Sequence, residues 1–370
     1  MTTENPPLKP PIDEMEALFK RYVTFTDERH AFVCALWCAQ TWLFQTQSTH
    51  GLDYAGYLTF ISPTRNCGKT AALTVVSALS YGHPDLSIDP TAAPLFRKIQ
   101  QHRYTVIFDE LDTLVESPDI IAILNSGYRK KAVVERMGGR DKDQVFKFST
   151  FGPKALAYIR DADALKSIKA TLESRCIKIL LKKRTQQEQI ASPKMRESRL
   201  LDESQPLVAR LMQWIHTIPK DLSRYLPETW SEQMSGREEE VWENLFVVAK
   251  MIGRMDEAME AAMDLIKSGR EESEDHSGDA ILLRDIRDNM ADLCDGDGFA
   301  IEYAVKLMRG LENRPYNKTV DGMGITVQGL GRILAKYGLR PRMVGPRRVR
   351  RIERRLVEDV IHRHVPEMED

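Results

Sequence analysis

The chain has 370 residues, 42% of them hydrophobic, and its 53 Lys and Arg nearly balance 54 Asp and Glu for a net charge of −1. That length accommodates two or three domains, and that composition excludes a disordered chain. No uncharged apolar run approaches the roughly 20 residues that span a bilayer, and the start, MTTENPPLKPP, is polar and proline-rich, so the expectation is a cytoplasmic protein without a membrane segment.

Residues 13–47 read as helix: Met15, Leu18, Phe19 and Tyr22 recur at helical spacing, and 32–44 is apolar on most faces, as in a buried segment. Cys34 and Cys38 fall among Val33, Leu36, Trp37 and Trp42 and read as core. With Cys67, Cys176 and Cys294 they are an odd, scattered set without zinc spacing, so reduced thiols are expected. GYLTFI at 56–61 reads as a short buried strand, SPTRNCGKT at 62–70 as a turn, and 70–79 as a helix. A second strand and helix follow across 86–99, and RYTVIF at 103–108 is another buried strand, ending in Asp109 and Glu110. Then come a helix at 120–128, a hairpin in which AVVERMGG and QVFKFST flank the turn RDKD, a helix from Pro153, and a last strand at 177–181. Strands alternating with helices predict an α/β unit with a mostly parallel sheet.

From about 190 the pattern turns to helices alone, at 207–217, 238–251, 255–266 and 281–294, with the charged segment 269–279 expected as a linker or loop. The end reads as a helix from Ala300, a helix at 326–337, a turn at Gly338, extended pieces around Arg342 and Val349, and a helix at 352–362.

A phosphate-binding loop needs backbone amides converging on an anion, a lysine to reach the outer phosphates and a hydroxyl to bind magnesium. SPTRNCGKT supplies Lys69 and Thr70, with Thr64, Arg65, Asn66, Cys67, Gly68 and Ala71 around the anion. Pro63 stands where GxxxxGK[ST] has its first glycine; it keeps the bend and removes one donor. Alone, this match leaves a nucleotide site and a chance GKT equally open. The run YTVIFDELD then sets Asp109 and Glu110 at the end of a hydrophobic strand, which a parallel neighbour would bring to the magnesium side of the loop. One acid there binds hydrated metal and the next orients water, so ATP and Mg2+ are the expected ligands.

On these motifs the chain resembles the AAA+ class of P-loop ATPases, with SPTRNCGKT as Walker A and VIFDE as Walker B. The resemblance implies a P-loop NTPase core with a parallel sheet (51–190), a helical N-terminal segment (1–50), an all-helical lid (191–275) and a small winged-helix-like basic domain (276–370). Ser174-Arg175-Cys176 is similar to the SRC motif of clamp-loader ATPases, which implies that Arg175 is an arginine finger for a neighbouring subunit's ATP, and hence a homo-oligomer. The plainer reading of Arg175 is an ion pair with Glu173 or another acid. In this class the strand within KFSTFGPKA would end in a polar sensor, Ser149 or Thr150, with Thr150 preferred. The preceding hairpin resembles the pre-sensor hairpin of helicase-type members, with Arg136, Arg140 and Lys142 near its tip as DNA contacts; an ordinary solvated hairpin is the alternative. Arg237 stands where a lid commonly supplies a second sensor. APLFRKI, DELD, LNSGYRK, FSTFGPKALA and LGRILAKYGLRPR also resemble an uncharacterised ATPase family of actinobacterial, phage and plasmid genomes, over roughly residues 30–365.

The C-terminal segment holds eight arginines between 340 and 355 against one acid, Glu353. Its helix, turn and basic extended segment have the order of a winged helix, with Arg347, Arg348, Arg350 and Arg351 as phosphate contacts. The competing reading is a solvated face balancing the acidic 271–297 region of this chain or a neighbour. The acids of DLCDGDG lack calcium-loop spacing and read as a helix end. Together these expectations describe an oligomeric ATPase acting on DNA as a helicase-like or replication-associated motor of a mobile element, with a protein partner possible. The rivals are a nucleotide-gated switch in antiphage defence or signalling, and a DNA-binding regulator without turnover.

Overall fold

In a computed structural model of the chain the described residues are 8–45, 52–62, 66–84, 86–87, 92–102, 104–114, 117–138, 144–159, 169–185, 187–188, 194–228, 232–276, 278–312, 314–317, 324–337, 339, 341–344 and 349–364. They form two compact units, 1–266 and 267–370, and the division falls inside the helix Met255–His276.

The first unit is built on a five-stranded parallel sheet. Its strands are β1 (Tyr57–Ser62), β2 (Leu86–Ser87), β3 (Val106–Phe108), β6 (Lys154–Ile159) and β7 (Cys176–Leu180), in the order β2-β3-β6-β1-β7. Every residue of β1 is buried, as expected of a central parallel strand covered on both faces. The register sets Ser62 beside Ile159 at one end of the sheet and Tyr57 beside Cys176 at the other. Because the strands are parallel, the segments that follow β1, β3 and β6 all emerge at the same end.

Helices α1 (Ile12–Tyr22) and α2 (Arg29–Thr41) share a core with the sheet. Residues 31–41 of α2 are buried without exception, which is why that helix shows no polar face in the sequence. Trp37 Nε1 donates to Gly56 O at 2.9 Å and so pins α2 to the approach to β1. Further on, Leu211 and Trp214 of the helix Glu197–Ile215, and Phe246 and Val247 of Gly236–Ile252, join that same core. The described helices within 8–45 and 194–266 therefore share one hydrophobic core with the sheet.

One element corrects the sequence reading outright. The stretch from Pro153, expected as a helix, is the central strand β6. Its alanines favour helix, but Ala155, Leu156, Ala157 and Tyr158 form the continuous apolar run of a strand buried on both faces, and that burial decides. QVFKFS is β5 (Gln144–Ser149), paired antiparallel with β4 (Val133–Gly138) as the expected hairpin, a two-stranded sheet apart from the parallel one. The expected linker 269–279 is also largely helix, because Met255–His276 runs on to His276 and the next helix begins at Gly278.

The second unit places the helices Gly278–Asp288, Ile301–Gly310, Val327–Lys336 and Arg354–His364 around a three-stranded antiparallel sheet. That sheet runs in the order β8-β10-β9, from β8 (Gly298–Ala300), β10 (Val349–Glu353) and β9 (Arg342–Val344). Phe299 pairs with Ile352 over a core that includes Leu282, Leu330 and Val357. The strand β8 was not expected; a Cβ at Gly298 would stand 2.1 Å from Ile352 O, so glycine permits this pairing. Within the unit, buried Asp285 accepts from Arg314 Nε at 2.7 Å and from the Tyr316 hydroxyl at 2.5 Å. Among the described residues no helix is long and apolar enough to cross a membrane.

Candidate functional site

Where β1 ends, the chain turns into α3 (Lys69–Leu79). Gly68 caps that helix in the left-handed region at φ 84°, and no side chain caps the helix, so its first amides are open to an anion. A Cβ at Gly68 would meet nothing within 4 Å, so the glycine is required by its backbone angle and not by crowding. Lys69 Nζ donates to Ser62 Oγ at 2.7 Å, which folds the lysine back over the end of β1.

Asp109 and Glu110 leave β3 two strands away at the same end of the sheet. Asp109 is 6% exposed, and its Oδ2 accepts from Thr70 Oγ1 at 2.8 Å while Oδ1 accepts from the Glu110 amide at 3.0 Å. Glu110 is exposed and adopts φ 52°, uncommon for a residue with a side chain, and Asn66 in the loop has φ 62°. Two such residues lining one cavity are the kind of local strain that persists at functional sites.

These groups line one cavity of about 480 Å³ together with Cys67, Ala71, Asp112, Thr113 and Ile159. The cavity thus gathers Asn66, Cys67, Gly68, Lys69, Thr70, Ala71, Asp109 and Glu110 of the expected set. Thr64 and Arg65, with Pro63, lie outside the described residues. Ser62, Asp112, Thr113 and Ile159 were missed as site residues. Asp112 and Thr113 had a legible signal, since they lie three and four positions beyond Asp109 in a helical start, but Ile159 depended on recognising β6.

The donor set fits magnesium. A hydroxyl and a carboxylate oxygen 2.8 Å apart are hard ligands on one side of the cavity, and Mg2+ is ordinarily held by one or two carboxylates together with phosphate and water. Among the described residues no group of three His, Cys, Asp or Glu could hold a metal unaided, so phosphate oxygens would have to complete the shell.

Other expected residues are not brought here. Thr150 precedes β6 and so lies at the opposite end of the sheet; it is fully buried, 2.7 Å from Ser126 Oγ. Ser149 ends β5 in the hairpin. Arg175 precedes β7, also at the far end, where its carbonyl accepts the Tyr57 amide at 2.9 Å and its NH1 donates to Thr171 O. It cannot reach the loop of its own chain across the length of β1, roughly 15–20 Å. Arg237 stands beside Arg175 and not beside Lys69: both guanidinium groups lie over the Tyr128 ring, at 4.8 and 5.8 Å from its centroid.

The expected DNA contacts fare unevenly. Arg136 pairs with Asp119 and lies 5.3 Å over the Phe96 ring, so it is held against the protein. In the second unit Arg351 donates to Asp295 and to Gly298 O at 2.7 Å, and this pairing holds the Asp295 carboxyl below the usual carboxylate range. Arg350 lies 3.7 Å from Glu302, Arg342 3.7 Å from Glu353, and Arg354 2.7 Å from Glu358. Much of the arginine run is therefore answered by acids of its own unit, Asp295 among the acidic region expected to do so. Arg140, Lys142, Arg347 and Arg348 lie outside the described residues.

A family described as a protein of unknown function (DUF3631) matches residues 180–355, less than half of the chain and outside the loop. No curated protein matches. Among solved structures, the active helicase Cch of SCCmec type IV aligns at a TM-score of 0.42 and 11% identity, covering 95% of this chain and 72% of that one. The Aeropyrum pernix ORC2 protein aligns at 0.27 in two forms. The ADPNP-ADP complexes give 13% identity over 94% of this chain and 97% of that one, and the ADP form 14% over 97% and 95%. At such scores these are likenesses from which no activity is carried over.

Proposed function

We propose that the chain is an ATP-hydrolysing P-loop protein of the AAA+ type that acts on DNA as an oligomeric, helicase-like or replication-associated motor. The observation that carries this reading is the 2.8 Å contact of Thr70 Oγ1 with Asp109 Oδ2 in the cavity that also holds Lys69, Gly68 and Glu110. A hydroxyl from the start of one helix and an acid from a separate strand meet where a phosphate-bound magnesium needs both.

In this reading the open amides of α3 and Lys69 bind the phosphates, and Thr70 with Asp109 holds Mg2+. The metal would neutralise charge on the phosphate oxygens. Glu110, exposed to the cavity, orients and polarises the attacking water. Arg175 serves a neighbouring copy, which its place at the far end of the sheet supports. Thr150 has no part in it.

For DNA, the order of helix, β8, two helices and the β9–β10 hairpin supports a winged-helix-like module in the second unit. Exposed Gln328 and Arg332 on Val327–Lys336, one helical turn apart, and exposed Arg355 are its available contacts.

The test is ATP turnover with and without forked duplex DNA across a range of protein concentration. Turnover that rises with DNA and is abolished by Glu110→Gln is expected. A wild-type protein that binds no ATP, or that binds it without turnover, overturns the reading.

A further inference from the structure

Glu110 holds a backbone angle that its own side chain does not favour, and the chain on either side of it shows why. Phe108, the last residue of β3, and Leu111, the first of the short helix Leu111–Leu114, are both fully buried. Only Asp109 and Glu110 lie between them, so the chain has to turn between two buried anchors within two residues. Glu110 takes up that turn at φ 52°, in the left-handed region, where a residue with a side chain is disfavoured by about 1–2 kcal/mol. Of residues 108–111 it alone is exposed, and it lines the cavity. The strain is what turns this carboxylate outward while its neighbours stay in the core.

A strained residue keeps its angle only where its surroundings fix it. Glu110 is held through the peptide group on each side. Its amide donates to Asp109 Oδ1 at 3.0 Å. Its carbonyl accepts twice from Thr113, from the amide at 2.8 Å and from the hydroxyl at 2.8 Å. The amide bond closes a turn that almost any residue would close, whereas the hydroxyl bond needs Thr or Ser. Leu111 and Leu114 seat the short helix in the core, so Thr113 works from a fixed base. The two holds also differ in what they depend on. Asp109 accepts from Thr70 through its other oxygen, so a cation bound there competes for the same carboxylate that Glu110's amide leans on. Thr113 holds the carbonyl on the far side of Glu110, and its hold is independent of what Asp109 binds. A threonine hydroxyl on the carbonyl three residues back is a common local bond. What sets this one apart is that the accepting residue is the strained one and that Thr113 itself lines the cavity.

We propose that Thr113 is a positioning residue for Glu110, its hydroxyl fixing the backbone turn from which the Glu110 carboxylate reaches the attacking water. This rests on the cavity hydrolysing ATP through Glu110. A carboxylate that orients water acts only in a narrow geometry, and a misplacement of about 1 Å lowers rate steeply. The phosphates are assigned to the open amides of α3 and to Lys69, and the metal to Thr70 with Asp109; Thr113 bonds to Glu110 instead. Its loss should therefore fall on turnover and spare binding.

The test uses the full chain as wild type, Thr113→Val and Thr113→Ser. Valine keeps the branched shape and removes the hydroxyl; serine keeps the hydroxyl and removes the methyl group. Thr113 is exposed, so the fold tolerates both. Three quantities are read: kcat for ATP with Mg2+, affinity for a non-hydrolysable ATP analogue with Mg2+ by calorimetry, and melting temperature. Thr113→Val should lower kcat about tenfold, the scale of one lost hydrogen bond, and leave analogue affinity within about twofold of wild type. Thr113→Ser should restore kcat to within about twofold of wild type, because the bond to the Glu110 carbonyl is remade. A Thr113→Val protein as active as wild type overturns the proposal. So does a Thr113→Ser protein as slow as Thr113→Val, which would assign the effect to the methyl group's packing. Analogue affinity that falls as far as kcat would make Thr113 a binding residue and overturn it as well. A wild type that hydrolyses nothing sinks the ATPase reading and this proposal with it. That outcome is distinct from an active wild type matched by Thr113→Val, which removes the positioning role alone.

Discussion

At the loop end of the parallel sheet, Lys69 and Asp109 face a cavity, and among the described residues their contacts are two hydroxyls and a backbone amide. In the 267–370 unit, Arg342, Arg350, Arg351 and Arg354 each lie against a carboxylate of the same unit. Both regions are conspicuous as charge in the sequence, but only the first holds its charge against neutral partners. A ligand entering the cavity displaces a hydroxyl contact and gains a full ionic one. A phosphate approaching the arginine run must compete with an acid already in place, so the count of arginines overstates what is free to bind.

The largest effect should come from the loop. Lys69→Ala removes the cavity's principal cation and should lower ATP affinity about 100-fold, or ~2.7 kcal/mol, the scale of a hydrogen bond to a charged group. Calorimetry measures this, and the melting temperature should hardly move, since the lysine's contact in the fold is the Ser62 hydroxyl. A large drop in melting temperature with unchanged affinity would make Lys69 a structural residue and remove the contrast. Gly68→Ala comes next. Its Cβ would enter open space, so the cost is the left-handed backbone angle alone, about 1–2 kcal/mol, read from chemical denaturation. An unchanged denaturation midpoint would mean that the loop relaxes freely and is not held in shape for an anion.

Arg351→Gln probes the other side of the comparison. Arg351 joins β10 to Asp295 ahead of β8 and to Gly298 at its start, so its loss should lower the melting temperature of the second unit by a few degrees. The pairing depresses the folded carboxyl of Asp295, so its stabilisation is present above the ordinary value of 3.8 and is lost as pH falls through the lower folded value. Wild type and variant should therefore differ at neutral pH and converge in acid. A variant as stable as wild type at pH 7, but with much weaker DNA binding, would make Arg351 a nucleic-acid contact after all.

How much of this was legible follows from where each signal lives. The loop, β1, β3 and the two acids after β3 were readable because each is a local pattern: an apolar run, then a residue type that chemistry demands at its end. β6 was not, because KALAYI is a helix by propensity and a strand only once sheets and helices cover it on both faces. That error carried another with it, since placing the central strand in KFST put the expected sensor, Thr150, at the wrong end of the sheet. Tyr128 and Arg129 stand in LNSGYRK, a stretch conspicuous by resemblance, but nothing local pointed to a role for either. Arg129, Arg175 and Arg237, far apart in sequence, converge on the Tyr128 ring, and no local spacing encodes that. The arginine run was legible as charge but not as free charge, because Asp295 and Glu302, which answer Arg351 and Arg350, flank β8 and are brought to the run by the β8–β10 pairing, and β8 is three residues long.

The smallest effect is the one that separates paired from free arginines most cleanly. Arg355 is exposed, and among the described residues it has no ion-pair partner, whereas its neighbour Arg354 lies 2.7 Å from Glu358. If the second unit binds DNA through phosphates, Arg355→Gln removes one counterion-releasing contact and should reduce the slope of log affinity against log salt by about 1, with no change in melting temperature. Arg354→Gln should reduce the slope by less, because in the free protein its charge is already spent on Glu358. Titrations at several salt concentrations resolve the two. Equal slope changes would mean that the ion pairs open on binding and that the run acts as eight free cations, while no change in either would leave the second unit without a phosphate contact at this position.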